Sequence, residues 1–230
     1  MSLSPQHFSQ LWIILGFIGY GWILIKALHT IQWWRLGNSH DLNVLLYAML
    51  GVFFIWSLNT DFPSGHPLPG HSLHLLGATL MTLMFGWAYA VIAMSLILLC
   101  FSLMYTSPLT DHLSIFPWNA FTTCLLPIML SHKLFRFVDT RLPNNFFIYI
   151  FVCAFFGAAF AIASTVLSTT GLHYLSGAYS WEKLNYNFLP YGLILMLPEA
   201  FITGTLMTIF VVYRPEWVST FDDKRYLQKH

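Results

Sequence analysis

The sequence predicts an all-α fold: a polytopic membrane bundle of about seven transmembrane helices forming a single transmembrane domain over residues 1–230. Three observations carry this. Apolar residues make up 57% of the chain and charged residues only 8%, against roughly 25% charged in an average soluble domain. Seven segments are long or apolar enough to enter a bilayer. Lys and Arg fall almost entirely in alternate loops, as expected of membrane topology. A water-soluble enzyme is thereby excluded, because 19 charges in 230 residues cannot clothe a soluble globule. A disordered chain is excluded by the same hydrophobicity. The net charge of +1 gives no sign of a nucleic-acid partner.

The first segment runs over about Leu11–Leu28 and the second over about Leu42–Leu58. The third and fourth, about Leu73–Phe85 and Trp87–Tyr105, have only Gly86 between them. The fifth, about Ile115–Leu130, contains Pro117 and Pro127. The sixth covers about Asn145–Ser168, with Ala154, Gly157, Ala158 and Ala161 forming small-xxx-small faces suited to internal packing or to a partner helix. The seventh covers about Phe188–Tyr213 and contains Pro190 and Pro198. The N-terminus has no basic n-region and no small-residue cleavage site, so the first segment is expected to stay as a helix.

With the N-terminus outside, the inner side holds Lys26, Arg35, Lys133, Arg136, Arg141, Arg214, Lys224, Arg225 and Lys229, and the outer side only Lys183. The C-terminus is then cytoplasmic. Six of the ten histidines, His7, His66, His71, His74, His112 and His173, fall on or beside the outer loops. Neutral imidazole is the commonest side-chain ligand for transition metals, and an outer face poor in cations does not repel them. Cys100, Cys124 and Cys153 are far apart in sequence and form neither a disulfide framework nor a metal knuckle.

The most informative stretch is Thr60 to Gly77, which carries three prolines, three glycines, Asp61, His66, His71 and His74. Proline and glycine at this density prevent regular helix. The apolar run that follows is about 13 residues, or about 20 Å at helical rise, short of a ~30 Å hydrocarbon core. Part of the loop is therefore expected to dip into the membrane, where irregular backbone survives only under protein cover. His71 and His74 are spaced i, i+3, on one face of a helical turn. They read either as interfacial loop residues or as part of a metal site. Asp61 and Asp111 are able to orient an imidazole or to cap a helix. Glu199, mid-segment and after Pro198, is an expensive group in a membrane and should face the bundle interior. It serves there in coupling, in support of a site, or as a hydrogen-bond partner for backbone freed by Pro198. Met81 and Met84 read as core packing.

Phe62-Pro63 followed by Gly70-x-Ser72-x-His74-Leu75-Leu76-Gly77 resembles the signature of the CbiM/NikM family, the substrate-capture subunits of energy-coupling-factor cobalt and nickel importers. Asn119 resembles that family's conserved-segment asparagine, and Glu199-Ala200-Phe201-Ile202-Thr203, then Arg214-Pro215-Glu216, resembles its last helix. The resemblance implies that His74 is a metal ligand and that Asn119 and Glu199 support the site. The family begins Met-His-Ile and uses that terminus in coordination. This chain begins Met1-Ser2-Leu3-Ser4-Pro5, its loop before Gly70 is about three residues longer and brings His66, and His71 stands where the family has Thr. The expected ligands are therefore His74, His71, His66 and His112, with Asp61, Asn119 and Glu199 behind them.

The expected function is the substrate-capture permease subunit of a transition-metal importer in a bacterial-type cytoplasmic (inner) membrane. Its substrate is a divalent transition metal ion, Ni, Co, Zn or Cu. A transmembrane coupling subunit and an ABC-type ATPase are expected partners, because the chain has no Gly-x-x-x-x-Gly-Lys-Ser/Thr phosphate loop. It lacks hydrolytic motifs as well and is not expected to be an enzyme. An intramembrane metal- or haem-binding redox or assembly protein is the alternative, and a ligand-free scaffold the third reading.

Overall fold

The structure of the chain, a computed structural model, describes residues 3, 8–58, 60–61, 72–105, 109–222 and 226; of residues 35, 36, 60, 61, 72, 73, 105 and 109–112 it describes the backbone alone. Two long helices come first, α1 (Gln10–Thr30) and α2 (Ser39–Ser57), and Asn38 caps α2 by accepting from the His40 N–H. Leu11, Ile14, Phe17, Ile18, Trp22 and Ile25 of α1 are all exposed. Such a surface is stable in lipid and not in water. Two short strands follow, β1 (Thr60–Asp61) and β2 (Ser72–Leu73), antiparallel with Thr60 opposite Leu73 and Asp61 opposite Ser72.

In the third apolar segment the helix is shorter than the run: α3 (Ala78–Phe85) has eight residues, is about 12 Å long, and carries the chain across only together with the non-helical stretch before it. Ala78 through Met84 are all buried, so α3 is a central post, not a lipid-facing span. Six stretches among the described residues are long and apolar enough to cross. Thr79 Oγ1 lies 2.8 Å from Ser131 Oγ and ties the post sideways. Gly86 ends α3 at φ +85°, ψ 164°, a region open essentially to glycine alone, and lets α4 (Trp87–Tyr105) turn back directly.

The next crossing is longer than its apolar run: α5 (Leu109–Ala120), a wide π turn at Phe121–Leu125, then α6 (Leu126–Arg141). Pro127 explains the wide turn, because its ring would clash with the carbonyl four residues back in a regular helix. His112, expected in a loop, lies in α5. Asn145 caps α7 (Phe146–Ile148) through the Phe147 N–H; a π-helical stretch, Tyr149–Phe156, leads into α8 (Gly157–Leu175). The small residues Ala154, Gly157, Ala158 and Ala161 are buried, so this face packs internally. The last crossing is α9 (Trp181–Asn187), α10 (Leu189–Ile194) and α11 (Met196–Tyr213).

After α11 the chain turns back under the post. The Ser219 N–H donates to Met84 O at 2.8 Å, and Thr220 Oγ1 donates to Leu83 O at 2.6 Å. Tyr89 donates to Gln32 O at 2.7 Å, and Tyr226 to Asp139 at 3.3 Å. These bonds gather the α1–α2 connection, Gly86, the end of α6 and the post-α11 segment on one face of the bundle. That is the face the Lys and Arg pattern marks.

Candidate metal centre

The site is built where the loop from β2 meets the top of α3. Four residues, His74 to Gly77, connect them without helix or strand, and His74 is only 8% exposed. A buried loop must satisfy its backbone groups locally, and two side chains do so. The indole N–H of Trp56, a fully buried residue of α2, donates to Leu76 O at 3.1 Å. The carboxyl of Glu199 on α11, 2% exposed, accepts from the Leu76 N–H and the Gly77 N–H, each at 2.8 Å. Gly77 turns the chain into α3 at φ +69°, and a Cβ there would meet Val52 Cγ2 at 3.0 Å.

The chain just after His74 is thus anchored through both N–H and carbonyl groups. The His74 ring lies on Trp56, centroids 4.7 Å apart at 41°. Nδ1 is 3.1 Å from Leu75 O. A carbonyl only accepts, so this bond requires the proton on Nδ1, and the neutral ring then presents the lone pair of Nε2. That is the arrangement of a metal-ready imidazole, with the non-ligating nitrogen held by an acceptor.

The other expected residues separate. His66 and His71 lie outside the described residues. Of Asp61 and His112 the backbone alone is described: Asp61 is in β1, paired with Ser72, and His112 is in α5. Asn119, 7% exposed, accepts from the Leu3 N–H at 2.8 Å. Leu3 is 1% exposed and packs with Ile115 and Leu172, so the chain reaches into the bundle at its third residue. Glu199 bonds to the loop after His74, not to backbone freed by Pro198. His173 was expected in an outer loop; it lies in the last turn of α8, 2% exposed, edge-on to Tyr179 and Phe188. Among the described residues no three His, Cys, Asp or Glu side chains come together around one point.

Two contributors escaped the sequence reading. Trp56 carried no signal beyond its place in an apolar run. Leu3 was read only as part of a beginning that departs from the family's.

A mostly helical bundle with a short central post, and a histidine clamped on the loop above it, defines a membrane-embedded binding component. The chain belongs to the CbiM family, the cobalt uptake substrate-specific transmembrane region, which matches residues 3–217. It is an integral membrane protein of a transport family. Two solved structures share the fold. One, described as a truncated transition metal transporter, is 19% identical with a TM-score of 0.68, covering 92% of this chain and 96% of that one. The other, described as a transition metal transporter, is 18% identical with a TM-score of 0.69, covering 91% and 92%. No curated protein sequence matches the chain.

Proposed function

We propose that this protein captures a divalent transition metal ion, Co or Ni by family and Zn or Cu by ligand chemistry, as the substrate-capture subunit of an energy-coupling-factor importer. The observation that carries the reading is the clamp on His74. Trp56 and Glu199 hold the loop at three backbone atoms, and Nε2 is the nitrogen left for a ligand. One imidazole does not compensate for a cation's lost water, so His71, His66 and His112 complete the proposed ligand set. Asp61 orients one of them, Asn119 anchors the chain at Leu3, and Glu199 fixes the loop.

The chain has no nucleotide motif, and the proposed cycle runs on a transmembrane coupling subunit and an ABC-type ATPase in a bacterial-type cytoplasmic membrane. The protein acts as a carrier part and not as an enzyme. Element analysis of protein purified without chelator tests the reading. Near-stoichiometric Co, Ni, Zn or Cu is expected, with no accumulation by the lone chain in liposomes. Metal-free protein that also fails to bind any of the four in titration overturns it.

A further inference from the structure

Between α2 and α11, with α3 as its floor, runs an apolar groove of about 620 Å³. Val44, Gly51 and Ile55 of α2, Leu80 and Met84 of α3 and Phe210 of α11 line it. On α2 the stripe from Val44 to Ile55 is about 16 Å long at helical rise, close to one leaflet's half of a ~30 Å core.

At the end near Gly86 the groove joins a polar cleft of about 500 Å³. Val44, Met84 and Trp217 line both. The cleft adds Asp41, Tyr89, Glu216 and Ser219. The Asp41 and Glu216 side chains are 46% and 50% exposed, and Arg214 lies 3.5 Å from Glu216. This end lies on the Lys/Arg-bearing face of the bundle, at headgroup level.

Apolar depth, two carboxylates at its mouth and a guanidinium beside them match one chemistry. We propose that the groove and cleft together hold one phospholipid with an ethanolamine headgroup. An acyl chain fills the groove. The ammonium, with three donors, bridges Asp41 and Glu216, while the phosphate faces Arg214. A choline headgroup has no donor for the carboxylates, and a glycerol headgroup has no cation. The site is independent of the metal reading, since none of its residues touches His74.

Gly51, which lines the groove, supplies a test: a Cβ there meets nothing within 4 Å, and Gly51→Leu adds bulk at the groove wall. The protein is reconstituted in nanodiscs holding equal parts ethanolamine, choline and glycerol phospholipids of matched chains. Lipids retained after transfer to mild detergent are counted by native mass spectrometry. The parent should retain about three times as much ethanolamine lipid as either of the other two, roughly 0.7 kcal/mol of preference. Gly51→Leu should lose the bound lipid, and Asp41→Asn with Glu216→Gln should keep a lipid but lose the headgroup preference. A parent that retains the three in bulk proportion overturns the proposal, as does enrichment that neither variant alters. Should a variant fail to fold, the parent's proportions decide alone.

Discussion

Replacing Glu199 by Gln tests how the loop is held. The carboxyl oxygens each accept one backbone N–H, from Leu76 and Gly77, at 2.8 Å. Glutamine keeps one acceptor and places an NH2 where the other oxygen was. A bond of the charged-acceptor kind, about 1.5–3 kcal/mol, is lost, and a buried N–H without a partner adds about 1–3 kcal/mol. At 2% exposure water does not restore the difference. The loop then relaxes two residues from His74, and the imidazole loses its fixed aim. Metal affinity should fall about tenfold to a hundredfold, the range seen for residues that support ligands. Isothermal titration of the parent and Glu199→Gln with the same metal, in one detergent and buffer, measures it. Affinity within about twofold of the parent, under about 0.4 kcal/mol, refutes the claim that this carboxyl positions the site.

Trp56→Phe keeps a ring on His74 but removes the donor to Leu76 O; the loss of about 1 kcal/mol should weaken metal binding about fivefold in the same titration. Gly86→Ala forces a side chain into backbone at φ +85° and should destabilise the protein by about 1–3 kcal/mol, read as a lower thermal midpoint with metal affinity unchanged. A reporter active only in the cytoplasm should signal when fused after His230 and stay silent when fused before Met1; the reverse pattern contradicts the Lys/Arg assignment.

Much of the fold was legible because membrane crossings are long apolar runs with a charge code at their ends. The runs at Leu11, Leu42, Trp87, Ile115, Asn145 and Phe188 all correspond to crossings. The burial of the third segment was not legible, since hydropathy cannot tell a short buried post from a lipid-facing span. Its brevity did signal that the preceding loop is protein-covered, and His74 lies there under Trp56. His173 misled for a related reason. Its helix runs a further turn beyond the apolar stretch, carried by Thr169, Thr170 and Gly171, so a residue read as loop is buried helix. The partnership of Glu199 with Leu76 and Gly77 spans more than 120 positions, and a lone sequence holds no pattern for it. The burial of Leu3 was invisible likewise, because its packing depends on Ile115 and Leu172 across the bundle.

The role of His74 is tested most directly by metal titration of His74→Ala beside His40→Ala, which removes an imidazole from the opposite end of the bundle, 56% exposed. His173, being buried, would unsettle the packing and is no control. Loss of a ligand should weaken binding by more than the hundredfold typical of a supporting residue, while His40→Ala should bind as the parent does. His74→Ala that takes up metal with the parent's affinity contradicts the account.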